Sequence, residues 1–568
     1  MSLNVPSVDV ARVMDPRLEI NRKRDYVALK GALVNTHQQF PATNINNSSI
    51  QITCNPPNRG IVVSRLIYKR CVFDITITGT NTGAGPLLNT GFFGPRFMPI
   101  LNVTSSEQIT INNDTLTQAP INEYWPEIMR YNNEFDNRFG QLSLCPSMMD
   151  QHQRYEDGVG GVRNPLAGYD DNSFEQTRGS FSGLEVLSNP DGGDTATLRL
   201  TVTEPILISP LVAGCHSNYT AGLSGIQNMS YTATIGDLRR VLSLVPDQGA
   251  PGVIDIQNSG ISVNLASASL LFNYLTPDPL NPVPRNLVSS YFSIVSYPTK
   301  TSVPIAPNGE VSITMQSVQV TSIPRRLYIF ARRDNSQKTA FTSDSLFALP
   351  QTGNPLTITW NNNQFCSQMT TQDIYNTSVK NSCNLSYSQF TDKVGSVICL
   401  DFGTDIGLMS DESAGVLGNY QLGVTCRFKN TNPSEDIAPT LYVVVVYEGT
   451  FNVDDGNCSH MIGVLSRQDV LNSRRVPGVA YQQARDVFGG SFFTKLKNVA
   501  QKVGKFAKKH KLVSKGLKMI PDPRAQRAAQ VAQSLGYGMS GGSLCNDEIK
   551  HRLQYDASEL ADEYTDEE

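Results

Sequence analysis

From about residue 45 to 450 the chain alternates short apolar and polar runs with clusters of Asn, Gly, Pro, Ser and Thr. Thr197-Leu198-Arg199-Leu200-Thr201-Val202 shows the pattern: successive strand side chains point to opposite faces, so this run has one face to bury and one to wet. The same reading predicts strands at Ser49–Cys54, Arg65–Thr78, Glu107–Ile111, Thr195–Thr203, Asn228–Ile235, Gly260–Leu265 and Leu270–Tyr274. Further on it predicts Val311–Val320, Arg326–Ala331, Leu356–Trp360, Val397–Phe402, Gln421–Phe428 and Leu441–Tyr447. Helical spacing is rare; Trp125, Ile128, Met129 and Tyr131 predict one short helix within Asn122–Phe135.

The Pro- and Gly-rich run Val245-Pro246-Asp247-Gln248-Gly249-Ala250-Pro251-Gly252 predicts a division between a β unit over 45–245 and a second over 253–450. An N-terminal arm over 1–44 and a linker over 451–490 flank them. Two all-β units of similar size, with no repeat of about 40–50 residues, favour sandwiches or jelly rolls over propellers. Lectins and β-sandwich enzymes are compatible with this much.

After Gly489-Gly490 the pattern changes. Phe492, Leu496, Val499, Val503, Phe506, Val513, Leu517 and Ile520 recur at four-three spacing, broken only by His510, and draw one apolar stripe along a helix. Lys495, Lys497, Lys502, Lys505, Lys508, Lys509, Lys511, Lys515 and Lys518 fill many of the other positions. A helix with an apolar face and a cationic face is the pattern of a segment lying in a membrane interface. This cassette spans 491–542 and is followed by a tail over 543–568.

The net charge of -4 conceals opposing blocks. Residues 491–530 carry nine Lys and two Arg against one Asp, a net of +10, and residues 546–568 carry a net of -7. Residues 1–490 therefore also sum to -7. The ten cysteines include no Cys-x-x-Cys pair, and free thiols are expected. Met1-Ser2-Leu3-Asn4-Val5-Pro6 has no charged stretch leading into an apolar one, so synthesis without secretion, in cytoplasm or nucleus, is expected. The Asn-x-Ser/Thr sequences at Asn102, Asn113, Asn218, Asn228, Asn376 and Asn384 then read as products of polar loops rather than glycan acceptors. The longest apolar run, Leu441 to Tyr447, falls far short of the roughly 20 residues that cross a bilayer as a helix.

Constellations for catalysis are thin. His37, His152, His216, His460, His510 and His551 stand apart, in no metal-binding spacing. The adjacent carboxylates Asp170-Asp171 and Asp454-Asp455 would face opposite ways on a strand. Gly158-Val159-Gly160-Gly161 lacks the lysine and helix of a phosphate-binding loop. No catalytic residue, metal site or cofactor is expected. Polar loops such as Asn361-Asn362-Asn363-Gln364 and Ser188-Asn189-Pro190-Asp191-Gly192-Gly193 suit broad, partly wet protein contacts, or are simply exposed loops.

Several segments in order carry a resemblance. Ser312-Ile313-Thr314-Met315-Gln316 leads into Ile323-Pro324-Arg325-Arg326-Leu327-Tyr328-Ile329-Phe330. Gly395-Ser396-Val397-Ile398-Cys399-Leu400-Asp401-Phe402 follows, then Ser413-Ala414-Gly415 and Tyr420-Gln421-Leu422-Gly423-Val424. The succession resembles the C-terminal roll of double jelly-roll major capsid proteins of polinton-like viruses, virophages, adintoviruses and large DNA viruses. Glu204-Pro205-Ile206-Leu207-Ile208-Ser209-Pro210-Leu211 resembles the late strands of that family's N-terminal roll. The resemblance implies an all-β fold of two tandem eight-stranded jelly rolls with a helical or disordered C-terminal tail. It further implies homotrimeric, pseudo-hexameric capsomers that tile an icosahedral shell around double-stranded DNA, in the virion, with penton and minor capsid proteins as partners.

Met539-Ser540-Gly541-Gly542 before Ser543 resembles the site preferred by adenovirus-type maturation proteases, and Val487-Phe488-Gly489-Gly490 before Ser491 is a weaker match. Between them, 491–530 is similar in layout to the membrane-lytic segment of adenovirus protein VI, here fused to the shell protein. Three readings of the cassette stay open: a membrane-active peptide, an arm neutralising genomic DNA, or a helix packed under the capsomer. Gly504 and Gly516 weaken a rigid packed helix. Other readings of the whole chain are a carbohydrate- or receptor-binding β-sandwich protein and a minor, penton- or fibre-like virion protein.

Overall fold

The computed structural model describes residues 34–131, 183–211 and 222–473, apart from short gaps at 57–59, 90–91, 97, 278–285, 302, 345–346, 384, 394, 455 and 464. Among the described residues the four larger sheets, all antiparallel, form two pairs, with two short two-stranded ribbons beside them. In the first unit one sheet runs in the order Val34–Pro41, Ile261–Thr276, Tyr68–Thr78, Thr195–Pro205, Leu184–Ser188. The facing sheet runs Asn44–Asn46, Ser49–Cys54, Met229–Ile235, Thr104–Ile111, Asp114–Gln118. Burial follows the alternation: Cys71, Phe73, Ile75 and Ile77 point inward from one strand, Ala196, Leu198, Leu200 and Val202 from its neighbour.

The second unit repeats the plan. Asn286–Lys300, Pro439–Asp454, Arg326–Arg333 and Val397–Asp401 make one sheet, with Asn457–Ile462 paired to the 439–454 strand. Glu310–Thr314, Leu417–Asn430, Leu356–Trp360 and Asn363–Phe365 make the other, with Val318–Ser322 and Phe347–Ala348 also paired to the 417–430 strand. Seven of the eight residues of Arg326–Arg333 are buried, because this strand is covered on both faces and has a partner along each edge.

The expected division at 245–252 is displaced. The strand after that run, Ile261–Thr276, hydrogen-bonds along Tyr68–Thr78 and lies second in the first sheet, so the units meet between Thr276 and Asn286. The two strands expected at 260–265 and 270–274 are one strand of 16 residues, continuous through a bulge between Leu265 and Ser267. The last residues of the expected arm, Val34–Pro41, pair with its far end. The expected linker likewise begins inside the 439–454 strand, continues through its hairpin partner Asn457–Ile462, and then enters a helix at Arg467–Ser473. Gly449 permits that hairpin's close approach, since a Cβ there would overlap the Met461 carbonyl. The single strand expected at 311–320 is two, Glu310–Thr314 and Val318–Ser322. The expected short helix is Ile121–Ile128, followed by a 3-10 turn at Met129–Tyr131; residues 132–135 lie outside the described residues. Among the described residues Cys54, Cys71, Cys366, Cys399, Cys426 and Cys458 are free thiols.

Candidate assembly unit

The cassette, its scission candidates and both charged blocks of the C-terminal region (Gly489, Gly490, Ser491, the 492–520 stripe and its lysines, Met539, Gly541, Gly542, Ser543) lie outside the described residues, as do residues 1–33. The described part offers a different functional feature: the way the two units are joined into one block.

Each unit completes the other's core. The second unit's core includes Met98, Leu101, Ile121, Tyr124, Trp125, Ile128, Met129, Tyr131 and Leu207 from the first. Trp125 meets Phe292 edge-on, 6.3 Å between ring centres. In return Tyr291, Phe451, Val453 and Cys458 lie in the first unit's core. Where the hairpin at 439–462 arrives, Asn113 Oδ1 accepts from the Cys458 amide at 2.7 Å and His460 Nδ1 lies 2.8 Å from Asp114.

A buried ion network crosses the same junction. Arg332, on the doubly covered strand, reaches Asp344 at 2.9 Å, Glu127 at 3.4 Å and Glu123 at 3.5 Å, and donates to the Asn122 and Glu123 carbonyls at 2.7 and 2.9 Å. Lys338 donates to both Glu123 carboxylate oxygens, at 2.6 and 2.5 Å. From the first unit Arg240 reaches Asp344 at 2.5 Å, and the wholly buried Arg96 donates to the Thr339 and Thr342 carbonyls at 3.0 and 2.8 Å. Burial alone would raise Asp344, yet Arg240, Lys338 and Arg332 together hold its carboxyl well below the usual range. Burial also works to raise Glu123, and Lys338 with Arg332 outweighs it, leaving its carboxyl lowered. Burial lowers Lys338 despite the opposing pull of Glu123. Four cations and three carboxylates thus bridge the units, an arrangement that collapses energetically if one partner is withdrawn. Sequence reasoning missed these residues because Glu123 and Glu127 look like the wet side of a helix; the available signal was their four-residue spacing astride Trp125.

Outward, the block shows open sheet margins. Val34–Pro41 is exposed along nearly its whole length, Leu184–Ser188 ends its sheet with Leu187 50% exposed, and Asn286–Lys300 carries Val288 at 65%. Such margins invite pairing or covering by another chain. A cleft of about 550 Å³ beside the Val34–Pro41 strand is lined by His37, Gln39, Leu66, Tyr68 and Phe272 among others. Among the described residues no group of His, Cys, Asp and Glu is placed to hold a metal ion, and no helix is long and apolar enough to cross a membrane.

Comparison with known proteins fits this architecture. Residues 8–275 match the family model of the Sputnik virophage major capsid protein first domain, and residues 294–449 match that of the major capsid protein V20 C-terminal domain. The putative capsid protein V20 of Sputnik virophage is 31% identical over 586 residues, covering 95% of both chains. A chain in the 3.5 Å cryo-EM structure of the Sputnik virophage superposes with TM-score 0.75 at 28% identity, over 86% of this chain and 100% of that one. The mavirus major capsid protein shares the fold, with TM-score 0.63 at 15% identity over 84% of this chain and 100% of its own. The interlocked pair of β units is a double jelly roll, and the chain belongs to the family of virophage major capsid proteins, structural proteins of the virion shell.

Proposed function

We propose that three copies of this chain associate into a pseudo-hexameric capsomer, and that capsomers tile an icosahedral shell around double-stranded DNA. The observation that carries this reading is the interlocked junction: two similar rolls held as one block turn three-fold symmetry into an approximately six-fold outline. The exposed margins at Val34–Pro41, Leu184–Ser188 and Asn286–Lys300 supply surface for neighbours. Penton and minor capsid proteins would occupy positions where the six-fold outline does not fit. The chain acts by assembly rather than catalysis. Light scattering with negative-stain microscopy of the purified full chain tests this: trimers with a hexagonal outline support it, and a folded monomer at every concentration that keeps the chain soluble overturns it.

The C-terminal cassette is proposed to be cut free by a viral maturation protease at Gly542-Ser543, and less efficiently at Gly490-Ser491, and then to act on a membrane. Its charge and stripe support that reading, with genomic DNA as the alternative contact. Mass spectrometry of mature particles should show peptides ending at Gly542, whereas an intact Glu568 end throughout would remove the processing step. A 491–530 peptide should leak liposomes, and a Phe492→Asp, Phe506→Asp version should not.

A further inference from the structure

The apolar interior of the first roll contains charged side chains that the junction does not use. On Tyr68–Thr78 the inward series Cys71, Phe73, Ile75, Ile77 begins with Lys69, 3% exposed. Directly opposite Lys69 on the neighbouring strand, at the end of the inward series Ala196 to Val202, stands Glu204, wholly buried. From the facing sheet, Glu107 points inward beside Ile109 and Ile111, 1% exposed, and its Oε1 is in direct contact with the Lys69 ammonium. Tyr231, from the strand beside it, donates its hydroxyl to the same Oε1 at 2.8 Å. Glu204 accepts from the Ile100 and Leu101 amides at 2.8 and 2.9 Å.

One ammonium and two carboxylates therefore share a site closed to water. Stripping such ions of hydration is costly, and a single lysine leaves the set with excess negative charge. In water, hydration of the ions opposes their condensation; here that hydration is already lost, and an amide product carries no charge.

We propose that Lys69 and Glu107 condense to an amide that covalently joins the two sheets of the first roll, with Glu204 relaying the proton. Lys69 Nζ gives a proton to Glu204, and the freed lone pair attacks Glu107 Cδ. Tyr231 stabilises the charge that develops on Oε1, as an oxyanion donor does. Glu204 returns its proton to Oε2, which takes a second from the nitrogen and departs as water. One C–N bond forms and one C–O bond breaks, and no oxidant or activating group is required. Burial, moderated by Lys69 and the two backbone amides, lifts the Glu204 carboxyl to about 7, suited to taking and returning a proton near neutrality.

Intact and peptide mass spectrometry of the purified full chain, denatured before injection, tests this. The expected chain is one water lighter than its sequence, and trypsin releases peptide 66–70 bridged to 97–130 through Lys69 and Glu107. Lys69→Arg, which keeps the cation, and Glu204→Gln, which keeps the shape, should both restore the full mass. Wild-type chain of full mass that yields free 66–69, or a lost water that maps elsewhere, overturns the proposal without reference to any variant. A complete bridge in Glu204→Gln would remove the relay role while leaving the bond.

Discussion

Replacing Asp344 with Asn tests whether the ion network holds the two rolls together. Asp344 is 1% exposed and takes Arg240 at 2.5 Å and Arg332 at 2.9 Å, so the change leaves two buried guanidinium groups short of a counter-charge while barely altering volume. Glu123 and Glu127 then face Arg96, Arg240, Arg332 and Lys338 alone. Removing one partner of a buried pair costs about 3–5 kcal/mol, a large share of the roughly 5–15 kcal/mol that separates folded from unfolded chains. At about 2–4 °C per kcal/mol for units of this size, the melting temperature should fall by on the order of 10 °C. The control is Asp411→Asn: its partner Arg467, 3.2 Å away, has a half-exposed side chain, and such a pair contributes about 0–1 kcal/mol. The sign with pH follows from the lowered Asp344 carboxyl: its stabilisation is complete above the ordinary Asp range, about 4, and is lost as pH falls through the lower folded value. Wild type should therefore exceed D344N most at neutral pH and converge on it in acid. Urea titrations at neutral pH showing D344N within 1 kcal/mol of wild type, like D411N, would refute the reasoning.

Burial lifts the Glu204 carboxyl above the ordinary Glu range, to about 7, so its contribution to stability is full below the ordinary range and is lost as pH rises through about 7; E204Q should abolish this slope, about 3 kcal/mol, in denaturation midpoints measured from acid to mildly alkaline pH. Trp125→Ala should cost about 3–5 kcal/mol and expose the junction between rolls to limited proteolysis, read by sequencing the fragments. Native alkylation with iodoacetamide, mapped by peptide, should reach the half-buried Cys366 before Cys71, Cys399 and Cys426, whose buried thiols should stay unlabelled until denaturant is added; equal labelling would contradict the packing.

Strands bounded by turn residues and alternating cleanly were legible from the chain alone: Ser49–Cys54 and Leu356–Trp360 occupy the residues expected of them. Asn286–Lys300 was not, because most of its side chains are only partly covered, so its sequence has no period of two, and Pro298 discourages a strand. The Pro- and Gly-rich run at 245–252 misled for a related reason. Composition marks a loop, and only pairing shows to which sheet the next strand belongs. Inward-facing Lys69, Glu107 and Glu204 interrupt the apolar alternation, and a rule that equates charge with solvent reads them as exposed. For the junction, Arg332 and Glu123 lie more than two hundred positions apart, a separation that no local pattern bridges.

The exchange of core residues between rolls sets an order of events during synthesis. The first roll's interior is incomplete until Phe451, Val453 and Cys458 have left the ribosome, nearly two hundred residues after its own last strand at Thr276. The nascent first half waits in a partly filled state, its apolar seam available to chaperones or to a second nascent chain. For the same reason, a recombination that swaps one roll for a homologue's must carry the matching plug with it, so crossovers between such genes should be tolerated as whole chains far better than as half chains.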